Sequence, residues 1–207
     1  MKRIPELITL YPNFVPDPSA DGVVVYDASA DTTKATLKQN NHGLLYKALS
    51  ANDTGTNVLT AQPWFPTAGA VTVTADTTYY FEGILRTSRA AGSTSHTTSL
   101  LFGGTATLTS ILYRAYANTT DVVTNAAVNQ TAAEVATATV VKAASTSTTE
   151  QIEVEVRGIV RINAGGTFIP QFQYSAAPGG APTILANTYF KMQPVGSKTV
   201  TTAGTWA

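Results

Sequence analysis

The amino-acid sequence predicts an all-β protein, an antiparallel β-sandwich of jelly-roll-like organisation with an extended N-terminal arm. Three observations predict this class: short segments of alternating apolar and polar residues follow one another closely, glycine-rich turns separate them, and β-branched threonine and valine are abundant. A chain of 207 residues suits one domain with an attached arm. We expect a proline-rich arm with short strands over 1–42, a β-domain over 43–196 and a polar tail over 197–207.

The arm is predicted from its prolines, because proline at this density excludes a helix and a central strand. They are Pro5, Pro12, Pro16 and Pro18. The arm also carries apolar residues that need a surface to lie against, namely Ile4, Leu7, Leu10, Tyr11 and Phe14. Two alternatives stay open: the arm wraps its own domain, or it docks on a neighbouring subunit. Residues 22–29 predict one short strand, and a turn cluster at 40–43 marks the boundary.

Within the β-domain, the residues expected in the core recur at every second position, as in a strand with one buried face. The inward-facing positions are Val71, Val73, Tyr79, Phe81, Leu85, Leu100, Phe102, Ile152, Val154, Val156, Gly158, Val160, Ile162, Phe168, Phe172 and Tyr174. The opposite face of the strand at 150–162 carries Glu153, Glu155, Arg157 and Arg161. Turns are expected at 103–104 and 163–166, where glycines are paired.

Three segments of the β-domain are less regular. The alanines of 125–135 allow a helix, whereas 137–141 predicts a strand. Pro170 lies inside the strand of Phe168 and Phe172, which predicts an edge or bulged strand. A closing strand is expected through Tyr189 and Phe190, followed by a tail that is either disordered or paired with a neighbour.

Composition excludes several classes of function. The chain has no cysteine, which removes thiolate catalysis, cysteine-ligated zinc and disulfides. Only 13% of residues are charged and the formal net charge is zero, so we expect neither a nucleic-acid partner nor an anionic membrane. Surfaces poor in charge and rich in threonine suit packing against other protein copies, although a neutral threonine-rich β-domain would look the same. Pro5 and Glu6 interrupt the apolar stretch that a signal peptide carries after its basic residues, so we expect no signal peptide here.

No arrangement of residues predicts catalysis or a metal site, so we expect neither an enzyme nor a cofactor. The two histidines are His42 and His96; with no G-x-S-x-G turn in the chain, His96 is expected to be an ordinary surface or interface histidine. Glu153 and Glu155 share a strand face with two arginines and are interpreted as a solvated charge ladder, not as a glycosidase pair. Four loosely spaced acids fit turns better than calcium ligation, namely Asp17, Asp21, Asp27 and Asp31.

Three phrases of the sequence resemble a β-domain of tailed-bacteriophage structural proteins, found in tail-fibre or head-fibre tips and in capsid decoration proteins. They are "TADTTYYFEGIL", "TSHTTSLLFGGTATLTSILY" and "VRGIVRINAGGTFIPQFQYSAAPGGAPTILANTYFKMQPVG". The resemblance covers about residues 58–196 and leaves the arm outside. It implies a jelly-roll-like sandwich, usually trimeric, displayed on the virion and without catalytic residues. The chain has no repetitive shaft, which disfavours a long tail fibre.

The resemblance and the arm together lead to the expectation of a trimeric capsid decoration, cement or head-fibre protein. Its partners would be copies of itself and the major capsid protein or neighbouring virion subunits, on the capsid surface, after synthesis in the bacterial host cytoplasm. The alternative is a receptor-binding tip that contacts host glycans through loops 88–95 and 176–182, with Trp64, Tyr113 and Tyr116 as stacking aromatics. A depolymerase would need paired acids in a cleft, which the sequence does not indicate.

Overall fold

The structure is a computed structural model that describes residues 22–27, 32–37, 43–119 and 128–206, and the regular elements of these residues are all β-strands. In chain order they are β1 Gly22–Asp27, β2 Thr32–Leu37, β3 Leu45–Ala48, β4 Asp53–Thr54, β5 Gln62–Pro63, β6 Val71–Val73, β7 Thr77–Arg89, β8 His96–Gly103, β9 Thr107–Thr119, β10 Val128–Ala133, β11 Thr139–Ser145, β12 Glu150–Ala164, β13 Gly166–Tyr174, β14 Thr183–Ile184 and β15 Tyr189–Ser197. Two antiparallel sheets pack against each other, which confirms the predicted all-β sandwich.

The chain divides into two compact units, Met1–Gly43 and Leu44–Ala207. In the first unit, β1 and β2 form an antiparallel pair in which Gly22 lies opposite Leu37. The strand expected over 22–29 is therefore confirmed by β1. The apolar arm residues lie outside the described part of the chain, as does His42; they are Ile4, Leu7, Leu10, Tyr11 and Phe14.

The larger sheet of the second unit is built around β7 and β12, which pair antiparallel along most of their length. Beyond β12 come β9 and then β10. On its other side, β7 pairs with β15 and, near its C-terminal end, with β14. The outermost strands there are β3, next to β15, and β4, next to β14.

The smaller sheet has the order β11, β8, β13, with β5 and β6 pairing with different parts of β13. β13 is therefore a central strand, and its pairing with β8 runs through Pro170 without a register shift, so the edge or bulged strand predicted from Pro170 is wrong. The backbone N–H of Trp64 donates to the Pro170 carbonyl oxygen at 3.0 Å, so this side of Pro170 faces β5 and β6. Pro170 lies between the part of β13 that pairs with β6 and the part that pairs with β5, where a missing donor interrupts no ladder.

The core lies between the two sheets and is rich in aromatic rings. Phe81 of the larger sheet and Phe102 of the smaller one meet edge to face, with ring centroids 5.1 Å apart. Phe168 stacks on Phe102 at 5.1 Å, and Phe190 lies 5.7 Å from Trp64. Aromatic pairs in these arrangements stabilise a core beyond the area that they bury. Every inward-facing position predicted from the alternation is buried except Val71 and Gly158, which are half-buried.

Neighbouring strands determine the conformation of two segments whose sequence pattern was irregular. Residues 128–133 form strand β10, which pairs with β9, so a helix over 125–135 is wrong for these residues. The strand expected over 137–141 is β11, which begins at Thr139. The start of the polar tail contacts its own domain: the Arg161 Nη1 donates to the carbonyl oxygens of Lys198 at 2.6 Å and Val200 at 2.9 Å.

Candidate functional site

The most concentrated polar chemistry in the described residues is a buried charge cluster at one end of the sandwich. It consists of Arg89, His96, Lys142 and Glu150, whose side chains are between 0% and 8% exposed. Arg89 ends β7 and Glu150 begins β12 in the larger sheet, whereas His96 begins β8 and Lys142 lies in β11 of the smaller sheet. The cluster therefore joins the two sheets through charged contacts.

Glu150 is the centre of the cluster because each of the other three side chains contacts its carboxylate. Its Oε1 accepts from the Lys142 Nζ, and its Oε2 lies 3.1 Å from the His96 Nε2 and 3.3 Å from the Arg89 Nη2. Burial alone would raise the pKa of Glu150, but the hydrogen bond and charge of Lys142, followed by those of His96, hold that pKa below its ordinary value. Glu150 thus stays ionised while it is buried.

His96 is placed between two oxygen acceptors. Its Nδ1 lies 2.8 Å from the carbonyl oxygen of Thr94, and its Nε2 faces the Glu150 carboxylate. A ring that carries hydrogens on both nitrogens donates to both oxygens. The ring of Tyr174 meets that of His96 edge to face at 5.0 Å, and burial, followed by the negative charge of Glu150, raises the pKa of Tyr174.

Arg89 connects the cluster to the loops at this end of the sandwich. Its Nη1 donates to the carbonyl oxygens of Ala91 and, at 2.8 Å, of Gly92, while its Nη2 donates to that of Ser147 at 2.7 Å. These carbonyl dipoles help to balance a cluster that contains more cationic groups than carboxylates. One guanidinium group thereby fixes both the loop after β7 and the loop before β12.

The two loops proposed from sequence as glycan contacts, 88–95 and 176–182, lie against each other. The backbone N–H of Thr94 donates to the carbonyl oxygen of Pro178 at 3.3 Å. Gly92 has a φ of +85°, and a Cβ atom at this position would lie 2.2 Å from the same oxygen. The loops meet so closely because residue 92 has no side chain.

Two of the three aromatics proposed for sugar stacking are unavailable for that role, which corrects the sequence-based expectation. Trp64 is 0% exposed and Tyr113 is 1% exposed, because both face the core between the sheets. Tyr116 is half-buried on the outer face of the larger sheet. Alternation alone assigns Tyr113 to the same face as Ile111 and Ala115, so its burial could have been anticipated.

The expectation that His96 is an ordinary surface or interface histidine is also wrong, since its side chain is 0% exposed within this chain. The sequence analysis did not identify the side chains that allow His96 to be buried, although the alternation of the strands indicated that they face the core. Glu150 has the parity of Ile152 and Val154, and Arg89 has the parity of Leu85, so each was due to face the core. Nothing in the sequence indicated that these inward charges would meet.

The cluster is closed to substrate because none of its charged side chains is more than 8% exposed. Among the described residues there is no group of three or more His, Cys, Asp or Glu side chains that could hold a metal ion. Of the acids considered for calcium, only Asp27 lies in a described strand. What the cluster can do chemically is hold the two sheets and the end loops in one arrangement.

Two accessible ion pairs of the described residues lie on the outer face of the larger sheet. Glu82 accepts from the Lys191 Nζ at 2.8 Å and from the Tyr80 hydroxyl at 2.9 Å, and its pKa is lowered chiefly by the hydrogen bond from Lys191. The Arg86 Nε lies 3.2 Å from the Glu153 Oε2, as expected for a charge ladder on this face. Glu155 is exposed and makes no ion pair with a described residue.

Comparison with known proteins assigns no family. No family model matches the chain, and no curated protein matches it. Two solved structures of infectious bursal disease virus, of the Gx and Gt strains, align over 84% of this chain and 46% of theirs, at 9% identity and TM-scores of 0.19 and 0.12. The chain thus spans about half the length of those chains. None of the described residues forms a helix able to span a membrane. The likeness to the two virus structures carries no argument at these TM-scores, and the fold class is established by the strand pairing of this chain.

Proposed function

We propose that this chain is a structural protein of a tailed-bacteriophage virion, a trimeric decoration, cement or head-fibre protein of the capsid. The observation that carries the proposal is the resemblance of three sequence phrases to the β-domain of such proteins. Those phrases coincide with the long strands of the sandwich: β7, then β8 with the start of β9, and then most of β12 with β13 to β15. The proposed partners are copies of this chain and the major capsid protein or neighbouring virion subunits.

The buried charge cluster supports a structural role. Ionisable groups that serve catalysis must reach a substrate, whereas Glu150 and its three partners are enclosed between the sheets. Their contacts fix the relation of the sheets and of two end loops, which suits a subunit that must keep one shape within an assembly. The proposed role is therefore assembly without catalysis, and the proposed location is the capsid surface.

Electron microscopy of the particle tests this proposal directly. Virions carrying a tagged copy of this protein should show the tag on the head shell. Virions that lack the protein should be less stable to heat or chelator, or should lose a projection from the head. Labelling of the tail only, with unchanged head stability, would contradict the decoration role.

A receptor-binding tip is a second candidate because loops 88–95 and 176–182 form one surface. Apart from Arg89, whose guanidinium is buried in the cluster, these loops consist of Ala, Gly, Ser, Thr and Pro. These loops present backbone polar groups and hydroxyls to a glycan, but they present neither an aromatic ring for stacking nor an exposed charge. Purified protein should then bind host cells, and an insertion after Gly180 should abolish that binding. Equal binding with and without the insertion would exclude these loops.

A further inference from the structure

The outer face of β9 and β12 exposes apolar side chains beside charged ones. Leu112 is 53% exposed and Ile159 is 45% exposed, and the two residues lie directly opposite each other across the strand pair. Arg114 follows Leu112 by two residues in β9, and Arg157 precedes Ile159 by two residues in β12, so the two arginines also lie opposite each other. We name Leu112, Arg114, Glu155, Arg157 and Ile159 the β9–β12 face.

The charges of this face are not balanced by the residues that the structure describes. Like charges directly opposite each other on a sheet are destabilising. Arg114 makes no ion pair or side-chain hydrogen bond with any described residue. Arg157 lies opposite Glu82 of the neighbouring strand β7, but the Glu82 carboxylate already accepts hydrogen bonds from Lys191 and Tyr80. A partner that supplies a carboxylate would remove the repulsion between the two arginines.

The face itself contains the complementary group. Glu155 is exposed, precedes Arg157 by two residues on the same face of β12, and has no ion-pair partner among the described residues. One surface therefore offers two arginines and a carboxylate that form no ion pair with any described residue, next to apolar side chains. A second copy of this chain matches these requirements, since self-association satisfies the arginines of one copy with the glutamate of another.

We propose that the β9–β12 face is the surface through which copies of this chain associate. Arg114 and Arg157 of one copy contact Glu155 of another, while Leu112 and Ile159 lose contact with water. Arginine and tyrosine, here with the neighbouring Tyr116, are enriched at the centre of protein interfaces, and that centre is more apolar than the rest of the surface. This inference rests on the proposed assembly function and adds the surface that performs it.

Sedimentation velocity of the full-length chain with complementary variants tests the surface. One variant carries Arg114→Glu and Arg157→Glu, and the other carries Glu155→Arg. Each alone opposes like charges across the contact, so its dissociation constant should rise at least about tenfold above that of the wild type. When the two are mixed, each supplies the charge that the other lacks, and a heavier species containing both should form. A merely structural effect of the substitutions would not be rescued by mixing.

Two control variants change exposed residues outside this face. Leu59→Asp alters a side chain that is 56% exposed between β4 and β5, and Val140→Asp alters a side chain that is 51% exposed on the other sheet. Both should keep the wild-type mass, and thermal unfolding should be similar for all variants. An oligomer that all variants retain would overturn the surface and leave the virion role intact. A wild-type chain that is monomeric at high concentration would overturn the surface, whereas the location of the protein on the particle is decided separately by microscopy.

Discussion

Glu150 is the single residue on which the charge cluster depends. With Glu150→Gln, Arg89 and Lys142 would stay buried without a carboxylate, while the amide fits the same space. Removing one partner of a buried ion pair typically destabilises a protein by about 3–5 kcal/mol. We expect a loss of this size in the free energy of unfolding, measured by urea denaturation.

Glu153→Gln is the matched control, because it removes a carboxylate from the same strand but from its outer face. The Glu153 side chain is 35% exposed in its ion pair with Arg86, and exposed pairs contribute about 0–1 kcal/mol. Equal losses for the two variants would mean that burial of the cluster does not determine its contribution.

The pH dependence of stability should report the same residue. Because the folded-state pKa of Glu150 lies below its unfolded value, its contribution is fully present above the ordinary glutamate pKa of about 4.3. That contribution is lost as the pH falls through the folded-state pKa. Urea midpoints measured from pH 7 to pH 3 should therefore fall more steeply for the wild type than for Glu150→Gln. Parallel curves would show that Glu150 is not held ionised in the folded state.

At the level of single residues, the sequence predicts which face a side chain takes better than it predicts the partner. Alternation is sufficient to assign Ile152, Val154 and Val156 to the core, and it assigns Glu150 there too. The pairing of Glu150 with Lys142 and His96 depends on how two sheets are brought together. That information is not local, because these residues come from three different strands.

The turn between β8 and β9 shows how a strand pair depends on one glycine. Gly104 has a φ of +117°, and a Cβ atom there would lie 2.1 Å from the carbonyl oxygen of Thr167. Gly104→Ala must both adopt a strained conformation and displace backbone, so a loss of at least about 1–3 kcal/mol in unfolding free energy is expected. Denaturant midpoints measure it.

Gly204→Ala provides the comparison for this turn. Gly204 also has a positive φ, of +80°, but no atom lies within 4 Å of the position its Cβ would occupy. Gly204→Ala should therefore lose only the strain of a positive φ, about 1–2 kcal/mol in unfolding free energy, and less than Gly104→Ala, which must also displace backbone. If the two alanine variants were equally stable, contact with the β13 backbone would not be the constraint at residue 104.

Elements were predicted where local pattern and tertiary environment agree. β12 was anticipated because its alternation persists over most of its 15 residues. β10 was ambiguous because alanine suits a helix, and its pairing with β9 decides its conformation. Pro170 was assigned to an edge or bulged strand because a proline cannot donate to a ladder, but β5 and β6 leave a gap opposite it. The propensities of alanine and proline were interpreted correctly, but the neighbouring strands determined the conformation of β10 and the position of β13 in its sheet.

At the scale of the whole molecule, the second unit contains the buried apolar core of the described residues. The residues of this core run from Trp64 to Met192, and both sheets of the sandwich belong to residues 44–207. The buried charge cluster and the β9–β12 face lie in the same unit. The fold, the contact between the sheets and the proposed association surface thus depend on this one unit, whereas the arm of residues 1–42 was expected either to wrap its own domain or to dock on a neighbouring subunit.

A chain that begins at Leu44 separates these roles. Because the sandwich has its own core, this fragment should unfold cooperatively, with a Tm within a few degrees of that of the full-length chain. It should also self-associate as the full-length chain does, since the β9–β12 face is retained. Binding to virions that lack the protein should be weakened if the arm docks on a neighbouring virion subunit. Calorimetry, sedimentation and a virion-binding assay on the same preparation measure these three outcomes. Failure of the fragment to fold would contradict an independent sandwich, and full virion binding by a folded fragment would contradict the role of the arm.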